Sequence, residues 1–235
     1  IKLTPDLCPT AELSYLPPVK SRNAIEKAYF DYNVRCFAFD SAEELDKIVN
    51  STGKSKDLTL VLRLAVAGSS TGLFMSGKFG AAPEKAAQLL KAARKVAKRV
   101  GISFHVGGQA MEPEAYTNAL ALVGSILRAI PRTKVDMVDV GGGFPSVYPE
   151  MVPPDMNSYN NAIEQGKALL PHPERYEFWC EPGRALVAES CSIVARVDLR
   201  KDNTLYINDG TFGSLFDAGP ALGFCFPVRL IRPTP

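Results

Sequence analysis

Strand-like and helix-like stretches alternate along this chain from residue 13 to residue 180, and then the alternation stops. Short apolar runs at 13–15, 34–39, 59–66, 102–106, 135–140 and 176–180 read as strands. Between them, 23–32 reads as a helix. A second helix follows Ser41, with Glu44 completing a capping box. Others start at Pro83 and Pro113, and one spans 157–170. Strands that are apolar almost throughout are buried on both faces, so the pattern implies a parallel sheet of βα units. A closed barrel needs eight strands and about 250 residues. At most six precede residue 185, so an open sheet fits as well as a barrel arc. Residues 1–22, with four prolines, read as irregular. From 185 onward, β-rich runs at 186–197 and 204–207 follow without a helix between them. The expectation is an α/β domain over 1–184 and a β-rich domain over 185–235.

Composition narrows the function classes. Among 235 residues, 46% are hydrophobic and 22% charged, which suits a globular chain with a sizeable core. A net charge of +2 argues against a nucleic-acid or membrane-surface partner. The basic side of the helix after Pro83 (Lys85, Lys91, Arg94, Lys95, Lys98) reads as a solvated outer face. No apolar run reaches the roughly 18 residues of a membrane span, and no signal-peptide pattern opens the chain. Five scattered cysteines without CxxC, and only His105 and His172 as histidines, argue against a metal site and for thiols in a reducing cytoplasm.

Chemistry gathers at the expected strand ends. In Val135 to Pro145 (VDMVDVGGGFP) a strand runs into three glycines, which permit positive φ and leave amide N–H groups open to an anion such as phosphate. A plain tight turn explains the same residues. Arg184 offers a cationic fork, Glu181 a carboxylate, and His105 a flat ring or a proton shuttle. Glu181 and Arg184 could equally form a structural bridge, and His105 could be a core histidine. Arg63 lies in a strand that should be buried, where a charge needs a partner. No GxSxG, HExxH or DxDxDG motif supplies a nucleophile or a metal loop.

Four motifs in register carry a resemblance. They are Phe104-His105-Val106-Gly107-Gly108, Asp139-Val140-Gly141-Gly142-Gly143-Phe144-Pro145, Glu181-Pro182-Gly183-Arg184 and Asn208-Asp209-Gly210-Thr211-Phe212-Gly213, with Lys78-Phe79-Gly80 also fitting. From about residue 13 the chain resembles the fold-type III pyridoxal-phosphate decarboxylases of ornithine, lysine and diaminopimelate, most of all the bacterial ornithine/lysine branch. The resemblance implies a TIM-type (β/α) barrel, lacking its first strands here, followed by a β domain. It also implies a homodimer with shared active sites. His105 would stack on the pyridine ring of pyridoxal 5'-phosphate. Gly142, Gly143 and Arg184 would hold the phosphate, and Glu181 would keep the pyridine nitrogen protonated. Arg63 would lie near the cofactor, and Asp217 would read the substrate's distal amine. The implied reaction is decarboxylation of ornithine or lysine to a diamine, as in polyamine biosynthesis, with diaminopimelate as the alternative substrate.

The chain departs from that pattern in three places. The family's cofactor-bonding lysine sits in a Tyr-Ala-Val-Lys-like motif that residues 1–235 do not contain, and Lys20, in Pro-Pro-Val-Lys-Ser, belongs to a different loop. The family's Cys-Asp pair is missing as well, Cys225 being in the wrong context. Gly108 replaces a serine that binds phosphate in many members, a loss of order 1 kcal/mol. The start at Ile1 and the stop at Pro235 make the chain read as a piece of a longer enzyme. The other reading is a non-catalytic relative that regulates by pairing with an active subunit.

Overall fold

The computed structural model describes residues 1, 3–67, 78–219 and 223–232. Its first six strands are β1 (Ser14–Tyr15), β2 (Cys36–Phe39), β3 (Thr59–Arg63), β4 (Arg99–Ser103), β5 (Met137–Asp139) and β6 (Glu177–Trp179). They form one parallel sheet in which each strand pairs with the next in sequence. A doubly wound sheet reverses its order partway; this one never does. With right-handed crossovers, a strictly sequential order puts every connecting helix on one side of the sheet. The twisted sheet therefore curls with its bare face inward, giving six strands of a barrel arc.

Side-chain parity along the strands separates two cores. Phe37 and Phe39 of β2, Leu60 and Leu62 of β3, Ile102 of β4 and Val138 of β5 point outward to the helices, all fully buried. Their neighbours Cys36, Ala38, Val61 and Met137 form a small inner cluster with Leu16 and Trp179. Gly101 faces inward beside Met137, whose side chain occupies the place a Cβ at 101 would take.

The helices are α1 (Thr4–Leu7), α2 (Arg22–Phe30), α3 (Ala42–Ser51), α4 (Pro83–Val96), α5 (Glu114–Ala129), α6 (Met156–Lys167) and the single turn α7 (Arg184–Val187). Ser21, Ser41 and Asp155 cap α2, α3 and α6 by accepting the N–H of the residue three positions on. The expected basic outer face of α4 is exposed at its lysines, while Arg94 turns inward to Asp136 at 2.9 Å.

Four expectations are corrected. Residues 1–22 are not wholly irregular, since Thr4–Leu7 forms a helical turn opened by Pro5. Glu44 does not complete its capping box. Its carboxylate accepts the Lys20 backbone N–H at 3.2 Å and pairs with Lys20 Nζ at 3.1 Å, so a buried ion pair outcompetes the local bond. Strand β4 starts at Arg99 rather than 102 because Arg94 caps the Ala97 and Lys98 carbonyls and ends α4 early, and Asp136 accepts the Val100 N–H. The 186–197 run is not a strand. It opens as α7, closed by Ala188 N–H on the Arg184 carbonyl, and only from Val197 does the chain extend. Strands β7 (Val197–Lys201) and β8 (Thr204–Ile207) then form an antiparallel hairpin exposed at every residue.

Candidate functional site

Register builds the site. Arg63, Ser103, Asp139 and Trp179 are mutual partners across β3, β4, β5 and β6, so they form one row at the carboxyl ends of the strands. Arg63 shares parity with Val61, and Asp139 with Met137, so both point to the inner face. Just past this row, β4 continues to His105, β5 to Gly141–Gly143 and β6 to Glu181. The glycines are sterically compulsory. Gly141 has φ +69° and Gly143 φ +105°, and a Cβ on either would collide with the carbonyl oxygen of Phe104 or Gly107 respectively. At Gly142 a Cβ would meet the Glu181 carbonyl at 2.5 Å and His105 Nε2 at 3.4 Å. The glycine turn is thus the floor on which the β4 and β6 segments close. The Glu181 N–H donates to Gly141 O at 2.8 Å, and Ala110 N–H to Gly143 O at 2.9 Å.

His105 is held as a neutral ring. The Gly107 N–H donates to its Nδ1 at 3.0 Å, which leaves the ring proton on Nε2. Burial, and then the Arg63 guanidinium, push its pKa down to about 4. Glu181 moves the other way, up to about 7, through burial and through the Asp139 carboxylate, with Arg63 opposing. Asp139 is itself raised, by burial above all, although the Gly141 N–H (2.8 Å), Glu181 and Arg63 favour its charge. The strand ends therefore carry a guanidinium and two carboxyl groups beside a neutral imidazole.

Arg184 and Asp217 occupy a second cluster. Arg184 Nη1 donates to the Tyr148 hydroxyl at 2.7 Å, and its guanidinium lies over Phe224 at 4.9 Å. Asp217 Oδ2 is 3.9 Å from Arg184 Nη1. Tyr148 and Phe224 stack at 4.9 Å, and Ser146 Oγ donates to the Arg184 carbonyl. Glu181 and Arg184 do not bridge each other. The structure brings Arg63, His105, Gly142, Gly143 and Glu181 together and sets Arg184 with Asp217 beside them.

Several neighbours had no role in the sequence reading. Asp139 carried the signal already used for Arg63, a charge in a strand that should be buried. Gln109, 2% exposed, brackets Ser146 by accepting its N–H and donating to its carbonyl. The buried Tyr116 hydroxyl donates to Gly142 O at 3.0 Å. Both act between segments far apart in sequence, so no local pattern announces them. The remaining candidates lie elsewhere. Lys20 Nζ donates to the Pro17 and Ala38 carbonyls and pairs with Glu44, which occupies all three of its hydrogens. Lys78 is exposed against Phe79, whose ring also faces Arg63 at 5.9 Å. Gly108 is half-buried and Cys225 exposed. Among the described residues, no group of three His, Cys, Asp or Glu is placed to hold a metal.

Comparison with known proteins agrees with this geometry. Residues 7–188 match the family described as the pyridoxal binding domain of pyridoxal-dependent decarboxylases. The lysine/ornithine decarboxylase of Selenomonas ruminantium is 32% identical over 211 residues, covering 86% of this chain and 52% of the relative. Antizyme inhibitor 2 of Xenopus laevis is 28% identical, covering 85% and 47% respectively. The chain thus spans about half the length of these relatives. A solved lysine/ornithine decarboxylase of Vibrio vulnificus, complexed with cadaverine, superposes with a TM-score of 0.74 at 26% identity, covering 94% of this chain and 58% of that one. A sequential parallel arc, a glycine floor between strand-end His and Glu, and a family match across that whole region lead to one assignment: the chain belongs to the pyridoxal-dependent decarboxylases and carries their pyridoxal-binding domain.

Proposed function

We propose that this chain supplies the cofactor half of an enzyme that decarboxylates a basic amino acid, ornithine or lysine. The observation that carries the reading is the convergence of Arg63, His105, Asp139 and Glu181 on the glycine floor. The residues fit pyridoxal phosphate: the glycine turn tolerates no side chain, and the carboxyl pair beneath it suits a basic ring nitrogen. When bound, the cofactor supplies an electron-withdrawing ring that accepts the electrons left by the departing carboxylate.

The chain's own contributions are binding, orientation and proton placement. The Gly142 and Gly143 region offers backbone amides to the phosphate. Arg184, anchored by Tyr148 and Phe224, offers a fixed cation for the same anion. His105 presents a neutral, flat face, which adds no charge against a protonated ring. Glu181 holds a proton at the ring nitrogen, and Arg63 limits how much negative charge gathers there. Asp217 is assigned to the substrate's distal amine, with its contact to Arg184 as the competing interaction. Residues 1–184 and 185–235 are assigned to separate domains, because the parallel sheet ends at β6 and the hairpin forms a sheet of its own. A homodimer in the cytoplasm belongs to the same proposal.

Trp179, the single tryptophan, lies in the same row as Asp139 and reports on the site. Titration with pyridoxal phosphate is expected to quench its fluorescence saturably, and Gly142→Val to abolish the effect. Absence of quenching together with an unchanged cofactor absorbance overturns the reading. Release of CO₂ from ornithine and from lysine by the full gene product then ranks the two substrates.

A second reading, a regulatory subunit that pairs without catalysing, is favoured by the antizyme inhibitor among the relatives. Borohydride reduction of the full gene product decides: cofactor fixed to a lysine supports the enzyme, and none fixed supports the subunit.

A further inference from the structure

Asp139 is an uncommon residue to find where it is. It ends a strand with no solvent exposure. Its Oδ1 accepts the Gly141 N–H at 2.8 Å, but its Oδ2 is buried and has no donor among the described hydrogen-bonding groups. A buried acceptor left unmade costs about 1–3 kcal/mol, more if charged. The Glu181 carboxyl is in side-chain contact with Asp139, on a segment anchored by the Glu181 N–H bond to Gly141 O. A carboxylate cannot donate, whereas a carboxylic acid can. Two ionised carboxyls in contact would also repel across a partly desolvated gap.

We propose that Asp139 and Glu181 hold one proton between them, and that Asp139 is the positioning residue that keeps this proton available for a basic nitrogen docked at Glu181. The inference rests on the reading of Glu181 as the ring-nitrogen partner. The hand-over balances: the O–H bond on Glu181 breaks as an N–H bond forms on the nitrogen. The pair goes from one negative charge to two, the nitrogen gains one positive charge, and no proton is drawn from solvent. Arg63 from β3 faces the pair and offsets the added charge. The other titratable groups around it are His105 past β4, Cys36 of β2 and Cys180 beside Glu181. The imidazole is kept neutral, and both thiols are raised and so stay protonated. Asp139 thus works through Glu181. With an amide at 139, the Gly141 N–H keeps its acceptor and the NH₂ group donates to Glu181, which then stays ionised.

Infrared spectroscopy of the cofactor-free chain at pH 6, below the value of about 7 for Glu181, reads the proton directly. A carboxylic-acid band from the pair of buried Asp139 and exposed Glu181 is expected. It should shift when aspartate alone is labelled with ¹³C and also when glutamate alone is. It should vanish in Asp139→Asn and in Glu181→Gln, and also when pyridoxal phosphate is added. A band that responds only to the glutamate label, or that persists in Asp139→Asn, overturns the proposal by showing that Glu181 holds the proton without Asp139. The labelling readout uses the native chain, so it decides even if Asp139→Asn fails to fold. A band that survives saturating cofactor overturns the hand-over. Failure of pyridoxal phosphate to bind removes the cofactor reading instead, while the cofactor-free band still decides whether the pair shares a proton.

Discussion

Strands β2 and β3 and the hairpin β7–β8 are built from similar residues and end in opposite situations. Phe37, Phe39, Leu60, Val61 and Leu62 have no solvent exposure, whereas Leu199, Leu205, Tyr206 and Ile207 are all exposed. Both segments pair in ladders, β2 and β3 on both edges and β7 and β8 only with each other, but ladder bonds do not bury side chains. What differs is the number of layers. β2 and β3 lie between the helices outside and the small inner cluster inside. Neither face of the hairpin is covered among the described residues. A strand of Val, Leu and Tyr records a preference for a pleated surface, and burial has to come from a second layer. The stability of this chain therefore resides between residues 13 and 180, and the later residues are held to it at a few points.

The sharpest way to break that contrast is to remove one large side chain from each region. Phe37→Ala empties a fully buried position between sheet and helices and is expected to cost about 4 kcal/mol. Leu199→Ala, at a residue 50% exposed, should stay within about 0.5 kcal/mol. Urea midpoints measure both. Comparable losses would mean that the hairpin is buried in solution by something other than the described residues.

The glycines give the same contrast at backbone level. Gly141→Ala combines positive φ with a collision against Phe104 O, and about 3 kcal/mol is expected. Gly183→Ala has open space around its Cβ, and a change within about 0.5 kcal/mol is expected. The junction between the regions comes next. Phe224, 5% exposed, stacks on Tyr148 and carries the Arg184 guanidinium. Phe224→Ala should cost about 2 kcal/mol and speed proteolytic cleavage after residue 184 while leaving 13–180 resistant. Unchanged cleavage would show that Asp217 and Ser146 hold the segment without it.

Much of this was legible in sequence because it is local. Apolar runs located all six strands of the arc, and Ser41, Pro83 and Pro113 marked three of the helix starts. The glycines announced a turn that tolerates no side chain. Choosing between arc and open sheet required strand order, which no single stretch encodes. The start of β4 was misjudged because Arg94 reaches forward to end α4, a side-chain event that periodicity does not register. Asp139 stood inside a quoted motif and was still passed over, because its significance comes from Glu181, 42 positions later and one strand away. Arg184 was legible as a cation, but its neighbours Tyr148, Asp217 and Phe224 come from three separate stretches.

The smallest effect, and the most specific to the strand-end cluster, is on how stability varies with pH. His105 has a folded pKa of about 4, below the ordinary 6.5. Between those values the unfolded chain binds more protons, so this group makes stability rise with pH. Glu181 has a folded pKa of about 7, above the ordinary 4.5. There the folded chain binds more protons, so stability falls as pH rises, and Asp139, also raised, acts in the same direction. The two slopes oppose each other between about pH 4.5 and 6.5, and the native chain should be nearly flat there. Above that window only the carboxyl pair titrates, and stability should decline toward pH 7. Glu181 is an exposed residue, which damps its share. Urea midpoints at fixed ionic strength resolve the balance. Glu181→Gln should turn the flat window into a rise, and His105→Asn should turn it into a fall. The hairpin variant Leu199→Ala should leave the profile unchanged. If both site variants keep the flat profile, the two shifts do not exist in the folded chain, and neither the neutral ring nor the shared proton survives as an account of the site.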